Sequence, residues 1–418
     1  MRGLLVDLAP LRRREFRLLY LGQLVSTAGT MLTFVALPYQ MYQLTGSSLM
    51  VGLLGAAEIV PTVLLALYSG MLADAVDRRR LVMGAEAGAA VVALALLGNS
   101  LLADPQVWVL FVCAALGAAC YALLRPPLDA MLPRLVPREE MKAALALDWM
   151  RSDVGQVVGP AVAGVLIALA GVSVVYGLDA LSFVVSLAVL TRMRDFGGAA
   201  DRGGVSWAGI KEGWRYARSR QELVGSYVID INAMFFGMPI ALFPAIAAGY
   251  GGAEVVGLLF AAPAVGALIA SATSGWTARV HRYGRAITLA AMGWGVAITV
   301  FGLVDALWAA LAALAVAGGM DAVSGIFRGT LWNETIPDRL RGRLAGIEMI
   351  SWSSGPTLGN VRAGGVAAIA GPRLSVVSGG LACVAGSVAL ALLLPRFWRY
   401  DARADALTEA ERSGVVNA

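Results

Sequence analysis

The sequence predicts an all-α membrane protein of twelve transmembrane helices in two six-helix bundles. Three observations carry this. Of 418 residues, 58% are hydrophobic and 15% charged, with a mean hydropathy of +0.72; soluble domains are about half apolar and roughly a quarter charged. The apolar residues come in unbroken runs, several reaching the ~20 residues that a ~30 Å hydrocarbon core requires, without the alternation of a membrane β-barrel. The connectors between the runs alternate between basic and non-basic.

Helices are expected at 16–43, 49–72, 81–102, 107–125, 148–170, 174–192, 223–247, 255–278, 286–304, 307–328, 344–370 and 373–394. The 49 glycines suit bundles in lipid, where small residues let helices approach closely. The first apolar run is too long for a signal h-region and ends in no A-x-A-like site, so no cleavable signal is expected. Cys113, Cys120 and Cys383 lie in apolar runs and read as packing residues. His281 is the single histidine, which excludes a histidine-rich metal site.

All but two of the 33 Lys and Arg residues, Arg362 and Arg373, fall in 1–17, 78–80, 125–151, 192–222, 279–285, 328–343 and 396–418. The intervening connectors are short and poor in basic residues. The positive-inside rule places the basic set in the cytoplasm, with both termini. It also accounts for the net charge of +5; there is no basic soluble domain to hold nucleic acid. The division is 1–192, a first bundle; 193–222, a cytoplasmic linker; 223–395, a second bundle; and 396–418, a cytoplasmic tail. Within the linker, Trp207, Ile210, Trp214 and Ala217 fall near one face of a helix, the pattern of an amphipathic segment resting on the membrane surface.

The two bundles repeat each other. Gly70, Asp74 and the basic run Arg78-Arg79-Arg80 follow the second helix; Gly275, Arg279, Arg282, Gly284 and Arg285 follow the eighth. Arg125 precedes Pro133 as Arg328 precedes Pro337, and Gly159-Pro160 in helix five matches Gly355-Pro356 in helix eleven. Each pair stands about 200 residues apart, the mark of a duplicated six-helix unit, which secondary transporters commonly show.

On these residues the chain resembles the major facilitator superfamily. Gly70, Asp74, Arg78 and Arg79 match that superfamily's G-x3-D-x3-R-R/K loop signature, with Asp77 where a glycine is usual. Gly155, Gly159, Pro160 and Gly164 match its antiporter-type glycine-proline motif in helix five. The segments VALPYQMYQLTGSSLMVGLLG, GPAVAGVLIALAGVSVVYGLDALSF, ALIASATSGWTARV and GRLAGIEMISWSSGPTLG resemble its enterobactin-exporter-like, drug-efflux branch. The resemblance implies that Gly70, Asp74, Arg78 and Arg79, with Gly275, Arg279 and Arg285 as their counterparts, form a gate that must break for inward opening. An anionic Asp74 suits the N-terminus of a facing helix, and Pro160 removes a backbone hydrogen bond from helix five. Exporters of this kind often carry an acid in helix one, where this chain has Gly29-Thr30; the superfamily's membrane arginine in helix four is also missing, with Arg125 at the helix end instead.

Charges at bilayer depth cost about 2.5–3.5 kcal/mol on insertion scales and mark function. The candidates are Glu58 in helix two, Asp230 with Asn232 in helix seven, Asp321 in helix ten and Arg362 in helix eleven. Glu58 lies deepest, and burial favours the neutral acid and suits it to proton exchange. The alternative is a neutral or arginine-paired acid, with Arg362 the candidate partner, that only holds helices together. Glu86, Asp179 and Glu348 fall nearer the helix ends and read as structural or interfacial. Gln23, Thr27, Thr30 and Phe34 form one stripe of helix one, facing either a central cavity or a neighbouring helix.

The expectation is therefore a secondary exporter of small amphipathic molecules, siderophore-like, drug or secondary metabolite, working by alternating access in the bacterial inner membrane. Its partners are a small-molecule substrate and the lipid bilayer, it acts as a monomer, and it needs no cofactor beyond a proton gradient. A nutrient importer or uniporter of the same fold, or a non-transporting membrane sensor, are the alternatives; no catalytic, metal or phosphate-cradling set points to an enzyme. Reporter fusions after Ala418 and within 248–254 should report opposite sides of the membrane; same-side reports would contradict the topology.

Overall fold

The computed structural model describes residues 7–75, 77–193, 214–336 and 338–404, leaving aside the side chains of 66–75, 126, 129, 130, 133, 138, 153 and 338–353. The described residues form helices and no strand. In order they are α1 (Arg14–Thr45), α2 (Ser48–Ala75), α3 (Arg78–Ser100) and α4 (Val107–Leu135). The run Met141–Thr191 is broken at Gly171 into α5 (residues 141–170) and α6 (residues 172–191). Then follow α7 (Gln221–Ala248), α8 (Ala253–Ala272), α9 (Tyr283–Leu303), α10 (Leu307–Thr335), α11 (Asp338–Ala370) and α12 (Pro372–Leu393). Among the described residues ten helical runs are long and apolar enough to cross a membrane. The run broken at Gly171 supplies two crossings, and α11, 33 residues long but carrying Asn360 and Arg362, is the remaining helix.

Helix ends follow backbone chemistry. Gly46 closes α1 in the left-handed region (φ 63°), its N–H donating to Tyr42 O at 2.8 Å. Gly171 (φ 79°, ψ 172°) and Gly371 (φ 85°, ψ 158°) turn α5 into α6 and α11 into α12, in backbone conformations open to glycine and strained for other residues. They stand 200 residues apart, so the sequence repeat extends to its turns. Inside α7 the helix unwinds at Met238–Pro239 and resumes through the 3-10 turn Ile240–Leu242, because Pro239 has no N–H for the carbonyl of Phe235.

Several helices outrun the expected spans. α4 continues to Leu135 and α5 begins at Met141, so most of the basic connector between them is helical. The extensions bury an apolar cluster of Phe16, Leu19, Val82, Met131, Ala144 and Leu147 beyond the span ends. Part of the linker falls within the described residues. Residues 214–219 are helical, but Ala217 is buried with Leu223, Tyr227 and Ile336, and Tyr216 donates to the Thr335 carbonyl at 2.6 Å, while Trp214 is exposed. Trp207 and Ile210 lie outside the described residues.

Two compact units emerge: 1–205 with 241–261, and 206–240 with 262–418. In the first, residues of α8 pack on α5: a Cβ on Gly164 would lie 2.9 Å from Gly257 Cα. In the second, α8 and α10 touch backbone to backbone. A Cβ on Gly318 would sit 1.9 Å from Pro263 O, and one on Gly266 1.7 Å from Ala315 O. Phe397, fully buried in the short helix Pro395–Trp398, fills the space that Gly225 leaves open.

The α8–α10 contact makes a paired prediction. Gly318→Val should lower the thermal unfolding temperature of the detergent-solubilised protein, overpacking costing about 1–3 kcal/mol. Gly325→Ala on the same helix, with nothing within 4 Å of the added Cβ, should be neutral or stabilising by about 0.5–1 kcal/mol. Equal melting for wild type and Gly318→Val would refute the close approach.

Candidate functional site

In the first unit the polar stripe of α1 points mainly to neighbouring helices. Gln23 is buried, and its Nε2 donates to Glu86 Oε1 of α3 at 2.8 Å. Ser26 Oγ donates to both oxygens of Glu86 at 3.2 Å. Thr27 receives a hydrogen bond from Arg151 of α5, whose guanidinium also donates to the Gln23 carbonyl at 3.2 Å and pairs with Asp148 at 2.7 Å. Thr30 Oγ1 donates to the Ser26 carbonyl at 3.0 Å. Thr33 donates to Asp179 of α6. Phe34 is half exposed and packs edge-on against Phe260, ring centroids 5.4 Å apart. Gln23 and Thr27 thus make helix–helix contacts.

Glu86 and Asp179, read from the sequence as structural or interfacial, are 0% and 3% exposed, which favours the structural reading. They lie in the bundle because α1 offers them small and polar neighbours: a Cβ on Gly29 would fall 2.7 Å from Asp179 Oδ1. Helix one carries no acid in its middle; two reach it from α3 and α6. A cleft at one end of the unit is lined by Tyr20, Gln23, Arg125, Asp148 and Arg151.

The motif residues take definite places. Gly155 and Gly159 let α5 lie against Thr27 and Met31 of α1, and Gly164 meets Gly257; Pro160 lies within the same helix. Asp77 caps α3, accepting from the N–H of Arg80 at 2.9 Å. Arg78 is buried. Arg79 donates to the carbonyls of Leu190 and Thr191, 2.8 Å each, where a helix C-terminus favours a cation. Gly70 and Asp74 fall in α2, with side chains outside the described residues. Gly275 and Arg279 lie on the exposed 3-10 turn Ser274–Arg279, and Arg285 stacks over Trp398 at 5.6 Å.

In the second unit, Arg328 of α10 binds Asp230 of α7, and its Nη2 lies 3.6 Å from Asp321 one face along. Asp230 is 5% exposed, whereas Asp321 keeps 43% of its side chain open. Both acids line a small cavity with Met234, Trp294, Met320 and Ser324. Asn232 points elsewhere, its Nδ2 donating to Cys383 O at 3.0 Å and Ser387 Oγ at 3.1 Å in α12. Arg362 donates to the carbonyls of Phe235 at 3.0 Å and Phe236 at 2.7 Å, the acceptors freed by the break in α7. The guanidinium of Arg362 thus answers to helix seven. Arg151 and Arg328 were read as topology signals; that Arg328 follows Asp321 by seven residues, two helical turns on one face, was the legible sign of a pair.

Glu58 stands apart. Among the mid-helix acids of the described residues (Glu58, Glu86, Asp179, Asp230 and Asp321), the others each accept a hydrogen bond or ion pair, and Glu58 is half buried with no hydrogen-bond or ion-pair partner for its carboxyl.

Solved structures share this architecture: the nucleoside transporter NupG (TM-score 0.71, 11% identity, 92% of this chain and 99% of that one), a bacterial homologue of the lysosomal transporter Spinster (0.70, 16%, 94% and 97%) and a bacterial homologue of the iron transporter ferroportin (0.70, 18%, 90% and 98%). At these identities the likeness shows the fold alone; the family match and the curated relatives make the chain a multi-pass membrane transporter of the major facilitator type. It belongs to the transmembrane secretion effector family, whose model matches residues 6–412. It is 27% identical over 391 residues to the enterobactin exporters EntS of Citrobacter koseri and of Shigella boydii serotype 18, covering 92% of this chain and 93% of theirs.

The ion pair makes a prediction. Arg328→Gln leaves Asp230 buried and unpaired, which should cost about 3–5 kcal/mol and lower melting and yield. Adding Asp230→Asn should restore much of the loss, since a neutral pair strands no charge. A single variant as stable as wild type would show that the pair carries no such weight.

Proposed function

We propose that the chain exports a small amphipathic, siderophore-like molecule by alternating access, driven by proton antiport, with Glu58 as the exchanging acid. The similarity to enterobactin exporters over nearly the whole chain supports the cargo class and the outward direction. The observation that carries the coupling is Glu58: a mid-helix carboxyl with no partner among the described residues is free to exchange a proton with water, or a proton with a bound cargo. The acids with fixed partners are less suited to that exchange. Both termini face the cytoplasm, the membrane is the bacterial inner membrane, and the monomer is the working unit. Gly70, Asp74, Arg78 and Arg79 gate one side, with Gly275, Arg279 and Arg285 as the counterpart set. The glycine-proline set Gly155, Gly159, Pro160 and Gly164 lets α5 shift against α1.

The test is uphill transport in proteoliposomes with enterobactin as probe and a lipophilic cationic dye as the rival cargo. Wild type should concentrate enterobactin against its gradient when a pH gradient is imposed. Glu58→Gln, close in shape to the neutral acid, should bind it and allow downhill exchange but lose uphill movement. Uphill export at the wild-type rate by this variant places coupling at another acid, with Asp230 and Asp321 next to be tested; dye transport without enterobactin transport replaces the siderophore reading by drug efflux.

A further inference from the structure

We propose that Glu86 and Asp179 form a proton-binding site inside the first unit, carried as two neutral acids that seat α1 against α3 and α6. Its part in the transport cycle rests on the antiport reading; its occupancy by protons does not.

Both carboxyls are buried, and their partners are amides and hydroxyls only. Glu86 accepts from Gln23 at 2.8 Å and from Ser26 at 3.2 Å. Asp179 accepts from Thr33, and Ser182 turns to the Asp179 carbonyl at 2.7 Å. A further hydroxyl, Ser186 Oγ of α6, is fully buried beside Glu86. It leaves the Glu86 carboxyl a neighbour that can take a donated proton.

The charged and titratable groups around the pair do not supply a counter-charge. From α6, Tyr176 gives its hydroxyl to Gln40 of α1 at 2.8 Å. From α4, Cys113 is buried near Tyr176. From α5, Arg151 reaches the backbone of Gln23 and the side chains of Thr27 and Asp148, not the acids. Glu86 takes its α1 donors from Gln23 and Ser26 and Asp179 from Thr33, so an anion at either place would lack a cation. A buried charge without a partner neutralises rather than persists. A neutral acid keeps its acceptor oxygens for the donors of α1 and gains a donor of its own for a hydroxyl such as Ser186, which an anion lacks.

Infrared spectroscopy of the purified protein at neutral pH reads the protons directly, through the carbonyl band of protonated carboxyls and its shift in heavy water. The Glu58→Gln background removes any signal from Glu58, so a failed export reading leaves this measurement intact. The protonated band should lose a component in Glu86→Gln and another in Asp179→Asn. Glu86→Gln, the shape of a neutral acid, should melt as its parent does, whereas Glu86→Ala should melt lower. An unchanged band in both amide variants, or a Gln variant as unstable as the Ala variant, overturns the proposal: the acids would then be anions held by their donors.

Discussion

Lipid offers no hydrogen-bond partner, and the described parts of this molecule answer to that one constraint. Every backbone polar group facing lipid must find its partner within the chain. Where Pro239 takes a donor away from α7, Arg362 replaces it at the Phe235 and Phe236 carbonyls. Where α6 ends, Arg79 covers its last carbonyls. Asn232 is held by Cys383 O and Ser387, and Asp230 by Arg328. The glycines serve the same end by another route, bringing backbones such as those of Gly318 and Pro263 together so that dispersion holds helices that no hydrophobic effect separates from lipid.

The two units meet the constraint differently, although they descend from one pattern. In the second, a guanidinium sits between Asp230 and Asp321, and one acid keeps an open side. In the first, Arg151 serves the backbone of α1 and Asp148, and the buried acids Glu86 and Asp179 rely on amides and hydroxyls. Ion pairs hold a fixed charge, whereas acids tied by neutral groups can hold a proton. Duplication followed by divergence of a few polar residues would thus separate a charge-locked half from a proton-holding half. Glu58 belongs to neither arrangement, and for that reason it is the acid assigned to exchange.

The helices were legible because lipid imposes a length and a composition: the ends of α3, α9 and α12 fall within about three residues of the expected spans. The extensions of α4 and α5 were not, since beyond the lipid a helix is held by tertiary contacts such as Met131 with Phe16, which no hydropathy window contains. The repeat was visible in Gly159-Pro160 and Gly355-Pro356. The partners of the charged residues were not. Hydropathy gives depth along a helix but not azimuth, so the sequence leaves Glu86 structural or interfacial, while its side chain enters the bundle. Arg151 and Arg328 lay in stretches counted for topology, where a basic residue near a helix end carries the same sign whether it faces water or an acid. Trp214 and Ala217 shared a face in the pattern, yet one is exposed and the other buried, because docking on α10 follows Tyr216 and the apolar neighbours instead.

The central claim is that cargo leaves in exchange for protons. Its most direct measurement is proton flux during transport in sealed proteoliposomes that hold wild-type protein, a trapped pH-sensitive dye and no imposed pH gradient. An outward gradient of cargo should drive protons inward, at a rate that follows cargo efflux and stops when cargo is exhausted. Cargo efflux at the same rate with an unchanging internal pH would contradict antiport and leave a uniporter.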